Sequence, residues 1–295
     1  MRTLVILNPT AGGQAGAGRL RGRIEACIQA DFVSTTEPGH AARLAADASG
    51  SGYDTVVAVG GDGTVREVAA GLHQAGGVSR LGIIPAGTGN DLARSLGISA
   101  SIESAARSIV TGRATPLDLI EASSADREGA VRILANAAVA GFCGRIGDRM
   151  SPRFRRGLRR IAYPLAALGQ LGDLRPHSLR LDLDGREIRT SAFMVVLANG
   201  RFAGGRVRFA PEASTNDGLL DVVVIHAVSL LQLTSLVPRV LLGRHPGHPG
   251  VSFHRASHVR LESEPSAWIN LDGDTWHCGT ASFRVLPGAL RVVVP

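Results

Sequence analysis

Thr55-Val56-Val57-Ala58-Val59-Gly60-Gly61-Asp62-Gly63-Thr64-Val65-Arg66-Glu67-Val68 decides how the chain is read. The Val-rich start is long enough for a buried strand and too short for a helix. Three glycines around one aspartate then break the pattern. Thr64 and Glu67 have the spacing of a helix capping box, with Thr64 at the N-cap. Val65, Val68, Ala69 and Leu72 follow at helical spacing. The stretch therefore predicts strand, Gly-rich loop and helix start. Such a loop offers backbone N–H groups and the positive end of a helix dipole, which suit a phosphate. A tight βα turn with no ligand explains the same glycines. Asp62 argues for a ligand, because a carboxylate in a phosphate loop calls for a cation or a proton-transfer role.

The pattern recurs on either side. Residues 2–7 predict a strand that ends at Asn8-Pro9, with Gly12-Gly13 in the following loop. Residues 32–36 predict a short strand with Thr35 near its end, and residues 81–84 another, followed by Pro85-Ala86-Gly87-Thr88-Gly89-Asn90-Asp91. Asn90 or Asp91 is placed to cap a helix over 92–96. Four β–loop–α units predict a parallel sheet with helices on both faces, and loops at its strand ends open on one edge. Their convergence argues for a nucleotide site more strongly than any single loop. Asn8 also reads as a turn former and Thr35 as a solvated hydroxyl.

Composition narrows the chemistry. The chain has 295 residues, 44% of them apolar, which supports a sizeable core. No apolar run reaches the length of a spanning helix and residues 1–7 are too short for a signal segment, so a cytoplasmic protein is expected. Cys27, Cys143 and Cys278 make neither a zinc pattern nor a disulfide framework. All 32 basic residues are Arg, and the net charge is +7. Without Lys there is no P-loop lysine, no protein-kinase β3 lysine and no Schiff base. Arg, backbone amides and metal must neutralise any bound phosphate.

After about residue 115 short alternating strands take over, with a hairpin signal at Asp184-Gly185. This half predicts an antiparallel β sandwich, with one apolar helix over 230–242. Arg153, Arg155, Arg156, Arg159 and Arg160, followed by an apolar stretch over 162–171, suit an anionic membrane surface or a solvated helix face. Aromatics are only 4% of the chain and Phe154 alone stands among these arginines, which speaks against nucleic acid. Two acidic clusters close the chain, Asp217-Gly218-Leu219-Leu220-Asp221 and Asn270-Leu271-Asp272-Gly273-Asp274. Each reads either as a hairpin turn or as chemistry: a hard oxygen site for Mg²⁺ at Asp217, and a general base or metal ligand at Asp272 and Asp274.

Taken in order, Asn8-Pro9, Gly60-Gly61-Asp62-Gly63-Thr64, the Pro85 to Asp91 loop, the Asp217 cluster and the Asp272 cluster resemble the diacylglycerol kinase catalytic-domain family. That family includes soluble bacterial lipid kinases, sphingosine kinases and ceramide kinases. The resemblance implies an α/β fold: a Rossmann-like parallel-sheet domain over 1–115, then a β-rich sandwich domain over 116–295 whose last residues pack back on the first. The active site would lie in the cleft between them. ATP would contact Asn8, Thr35, Gly60, Gly61, Asp62, Gly63, Thr64, Val65, Arg66 and Thr88. Asp62 would position the triphosphate and its Mg²⁺. Asp217, with the backbone carbonyls of Ser214 and Leu219, would hold a structural Mg²⁺. Asp272 and Asp274 would activate the lipid hydroxyl. The partner would be a lipid substrate at the inner membrane face, not nucleic acid, and a homodimer stays open.

The family usually has Glu where this chain has Asp274. A carboxylate set back by about 1 Å costs about 100-fold in rate when nothing compensates. Two other readings compete: an NAD-kinase-like enzyme on a soluble substrate, and a catalytically weak nucleotide or lipid sensor.

Overall fold

The computed structural model describes residues 2–10, 16–127, 129–142 and 175–295. Gly12, Gly13, Cys143, the arginine run over 153–160 and the apolar stretch over 162–171 lie outside the described residues. Four parallel strands form one end of the sheet: β1 (Thr3–Leu7), β2 (Asp31–Ser34), β3 (Thr55–Gly60) and β4 (Arg80–Pro85), in the spatial order β4-β3-β1-β2. Val56, Val57, Ala58 and Val59 are fully buried, as an apolar run sandwiched between helices must be. Helices α1 (Ala17–Glu25), α2 (His40–Gly50), α3 (Asp62–Gln74), α4 (Asp91–Ser95) and α5 (Ile102–Thr111) surround these strands. Leu20 and Ile24 of α1, Val68 and Leu72 of α3, and Ala105 and Ile109 of α5 share one core with the strands.

Two expected helix starts are corrected. The first residue of α3 is Asp62, with Gly61 at the N-cap and no side chain capping it. Thr64 lies inside the helix, where its hydroxyl accepts a hydrogen bond from Asn8 Nδ2 at 3.1 Å. A partner 56 residues away in sequence has taken the group that a local cap would need. Helix α4 begins at Asp91, and Asn90, at φ 55°, does not cap it with its own side chain.

The β-rich half is hydrogen-bonded to the parallel half rather than set apart from it. It contains β5 (Arg113–Ser124), β6 (Val131–Leu134), β7 (Ala137–Gly141), β8 (His177–Leu183), β9 (Arg186–Ala198), β10 (Leu220–His226), β11 (Val251–Ala256), β12 (His258–Leu271) and β13 (Asp274–Val294). The sheet runs β11-β10-β9-β7-β12-β13-β4, where Val292 of β13 pairs in parallel with Leu81 of β4. Asp184-Gly185 is the tight turn between β8 and β9, with both residues at positive φ. A second core joins Ile120 and Leu134, from β5 and β6, to Leu220 and Val222 of β10. These strands are far apart in the sheet order, so the sheet curls until its faces meet across that core. The amphipathic helix α6 (Leu230–Leu241) covers the outer face of β9 and β10 with Leu236 and Val240, and Leu233 is buried too. Leu236 and Val240 join Val196 and Val223 in a third core. Among the described residues no helix is long and apolar enough to cross a membrane.

Candidate active site

The carboxyl ends of the parallel strands open on one edge, and single backbone bonds tie their loops together. Asn8 N donates to Val59 O at 3.0 Å, Thr35 N to Leu7 O at 2.9 Å, and Ala86 N to Gly60 O at 2.8 Å. The Asn8 side chain is largely spent on scaffolding: Oδ1 accepts from Thr10 N and Thr10 Oγ1 while Nδ2 donates to Thr64. Thr35 is half-buried and Thr88 exposed; Val65 turns its side chain into the core. The glycines divide by role. A Cβ on Gly60 would collide with the Thr64 side chain, and one on Gly87 with the Gly61 backbone. Gly63 has nothing within 4 Å of where its Cβ would stand. Gly63 alone in this loop is exposed and free of steric need, so it keeps the N-terminus of α3 open to a ligand.

Asp62 reaches across to the next loop. Its carboxylate accepts from Asn90 N at 2.8 Å, Asp91 N at 2.7 Å and Leu92 N at 3.4 Å, and so caps α4 from outside. The Asp91 carboxylate repeats the device one step on, accepting from Gly205 N and Arg206 N, both at 2.7 Å, and from Arg94 Nη1 at 3.1 Å. The loops at the ends of the parallel strands are thereby fastened to the 200–206 loop of the β-rich half. Ser95 adds to this, its hydroxyl accepting from Phe202 N at 3.3 Å.

Asp272 arrives from the far end of the chain. With Gly273 it makes the tight turn between β12 and β13, at φ 48° and 102°. Its carboxylate accepts from Ala135 N, Asn136 N and Ala137 N at 2.8, 2.8 and 2.9 Å. The turn and the acidic site are one feature.

Asp62, Asp91 and Asp272 thus each carry three donors, which leaves each about one of the four lone-pair positions of a carboxylate. Burial pushes the Asp62 carboxyl up to about 7, helped by the negative charges of Asp91 and Asp272, while the amides of Asp91 and Leu92 oppose it. Burial also raises Asp91, against the pull of the Gly205 and Arg206 amides and Arg94. It raises Asp272 against its three amides and Arg66. Carboxylates crowded in this way favour a cation among them. Among the described residues no group of three or more His, Cys, Asp or Glu is set around a metal.

Asp274 is 43% exposed and its Oδ2 is shared by Arg66 Nη2 at 3.4 Å and Arg132 Nε at 3.3 Å. Arg66 projects from α3, is only 14% exposed, and keeps a buried Nε with no hydrogen-bond partner. The Asp217 group forms a separate turn before β10. Asp217 Oδ1 accepts from Leu219 N at 3.2 Å, Arg255 Nη1 stands 3.8 Å from Oδ2, and Ser214 Oγ donates to Asn216 Oδ1. One carboxylate beside an arginine is a thin donor set, yet it and the nearby carbonyls are the hard oxygens that Mg²⁺ takes.

Three residues escaped the sequence reading as site residues: Asp91 beyond a cap, Arg132 and Asp118. Buried Asp118 accepts from Gly218 N and Gly288 N, both at 2.7 Å, and steadies the turn that carries Asp217.

Comparison with known proteins agrees with this geometry. The diacylglycerol kinase catalytic domain matches residues 2–122, and the YegS C-terminal NAD kinase beta sandwich-like domain matches residues 136–294. A diacylglycerol kinase of Mycobacterium tuberculosis is 35% identical over all of this chain and 95% of its own length. The chain belongs to this lipid kinase family. A diacylglycerol kinase of Bacillus subtilis is 29% identical over all of this chain and 96% of its own length. A probable lipid kinase YegS-like protein of Pseudomonas aeruginosa is 31% identical over all of this chain and 94% of its own. A crystal structure of a diacylglycerol kinase from Bacillus anthracis superposes with a TM-score of 0.80 at 24% identity, covering 100% of this chain and 97% of that one. The two-part, sheet-rich α/β fold is therefore that of the diacylglycerol kinases.

Proposed function

We propose that this lipid kinase transfers the γ-phosphate of ATP, with Mg²⁺, to the hydroxyl of diacylglycerol or a related lipid alcohol at the inner membrane face. The supporting observation is the meeting of the open Gly63 terminus of α3, Arg66, and the carboxylates of Asp62, Asp272 and Asp274, from stretches some 200 residues apart. In this reading the site is the cleft between the two halves. The α3 amides and dipole hold the phosphates, and the unpaired Arg66 Nε supplies the positive charge that Lys supplies elsewhere. Mg²⁺, when bound beside Asp62, would neutralise charge on the β- and γ-phosphates. Asp217 and the carbonyls of Ser214 and Leu219 would hold a second, structural ion.

Asp62 and Asp272 fix loops, so positioning is their first role. Asp274 is the better candidate to accept the lipid hydroxyl proton. Both arginines hold its Oδ2, and the side chain is 43% exposed; in this reading Oδ1 takes the proton. In-line attack then needs only that the acceptor oxygen, the γ-phosphorus and the leaving oxygen be aligned.

The test is labelled-phosphate transfer from ATP to a panel of lipid alcohols in vesicles, with NAD⁺ as the soluble alternative, in Mg²⁺ and in EDTA. Lipid phosphorylation that EDTA abolishes is the expected result. Phosphorylation of NAD⁺ with no lipid product would overturn the proposal.

A further inference from the structure

The outer face of α6 takes no part in the site, and nothing in the described chain covers it. Leu231 is 80% exposed and Leu242, just past the helix end, 68%. Exposed Pro238 lies between them at helical spacing, so the three share one stripe opposite buried Leu233, Leu236 and Val240. The helix that presents the stripe is well fixed. Ser229 and Gln232 form a capping box at its start. At its end Gly243, at φ 66°, lets Arg244 N reach Arg239 O at 2.7 Å.

The charge around the stripe has one sign. Residues 222–261 contain no Asp or Glu. Arg239 and Arg244 are exposed, and Arg208 packs against Gly243. The surface is also joined to the acidic site. His245 Nε2 lies 2.8 Å from Phe209 O, and the loop that carries Arg208 and Phe209 is the one whose Gly205 and Arg206 amides grip Asp91.

We propose that this face of α6, with Arg208, Arg239 and Arg244 around it, seats the protein on an anionic lipid bilayer. Apolar side chains enter the headgroup boundary while the arginines meet lipid phosphates. The proposal rests on the lipid-kinase reading and names its docking surface. Charge complementarity selects the occupant. A second copy in an isologous contact would bring the same arginines against each other with no carboxylate in the patch to pair them. A nucleic-acid backbone would satisfy the arginines and leave Leu231 and Leu242 wet.

The experiment is flotation of the full chain with phosphatidylcholine vesicles and with vesicles containing phosphatidylglycerol. Two double variants outside the acidic site are compared, Leu231→Asp with Leu242→Asp and Arg239→Gln with Arg244→Gln, both checked for an unchanged Tm. Wild type should float with the anionic vesicles, less so at high salt. The arginine pair should weaken partitioning about 30-fold, at about fivefold for each charge removed. The leucine pair should abolish it. Neither should change turnover of a short-chain, water-soluble diacylglycerol. Wild-type flotation of both variants would overturn the proposal. So would a dimer that the leucine pair dissociates while vesicle binding persists. Flotation lost in the variants, with no lipid phosphorylated by wild type, would instead sink the kinase reading and leave the docking surface standing.

Discussion

Gly63→Ala separates fold from function, because stability and nucleotide binding should move in opposite directions. Gly63 is the second residue of α3, and its φ is not in the left-handed region. Helical Gly is less stable than Ala by up to about 1 kcal/mol. Nothing lies within 4 Å of the new methyl group, so no clash offsets that gain. For a chain of this size about 1 kcal/mol raises Tm by about 2 °C. In the proposed function the same methyl group stands where a phosphate oxygen would approach the backbone. Losing one charge-assisted hydrogen bond costs about 1.5–3 kcal/mol, or about 10- to 100-fold in KM for ATP. Gly60→Ala and Gly87→Ala are the controls. Their methyl groups collide with Thr64 and with the Gly61 backbone, so both should lower Tm. Thermal unfolding, with an ATP titration of lipid phosphorylation, reads both quantities. A Gly63→Ala enzyme with the wild-type KM for ATP would refute the assignment of this helix terminus to phosphate.

Asp62→Ala should uncap α4 and lower Tm by the equivalent of about 1–2 kcal/mol, beyond its effect on activity, as thermal unfolding without nucleotide will show. Asp274→Asn should cut kcat by about 100-fold or more with little change in Tm, whereas Asp274→Glu should retain activity; equal rates for Asn and Asp would remove it as the proton acceptor. Burial holds His226, His245 and His254 below the usual histidine value. The unfolded chain therefore takes up protons first as pH falls. Their contribution should be fully present above about pH 6.5 and be lost as pH drops through the lower folded values, while Asp62, pushed up to about 7 by burial, contributes with the opposite sign. The loss is therefore read as the difference in urea midpoint between wild type and a His226→Gln, His254→Gln variant from about pH 7.5 to 5.

What was legible in the sequence follows the range of the interactions. The strand–loop–helix units at 55–68 and 81–91 and the hairpin at Asp184-Gly185 are local, built from residues within one turn of each other, and the structure contains them. The capping box at Thr64 is also a local pattern, yet it failed because Asn8 claims the hydroxyl from another strand. Asp62 stood out as a carboxylate needing a purpose. That purpose includes the N-terminus of α4, 28 to 30 residues on, which no spacing rule reports. Arg132 meets Asp274 across 142 residues, and Asp91 meets Gly205 and Arg206 across 114 and 115. Such partners become visible only when the sheet has curled.

The least legible element is β13, and the reason bears on how the two halves act together. Its letters include Pro287-Gly288, which break the apolar alternation of the strand. The strand in fact runs from Asp274 to Val294, because Asp118 accepts from Gly288 N and carries the backbone through a register shift between Leu286 and Leu290. On one side of that irregularity Phe283 and Val285 belong to the second core; on the other, Leu290 and Val292 belong to the first. β5 crosses beside it, with Leu119 in the first core and Ile120 in the second. Two long paired strands therefore run through both halves, and Asp274 begins one of them. Asp118 also holds Gly218, beside Asp217, so one buried carboxylate fixes both the β13 irregularity and the turn before β10.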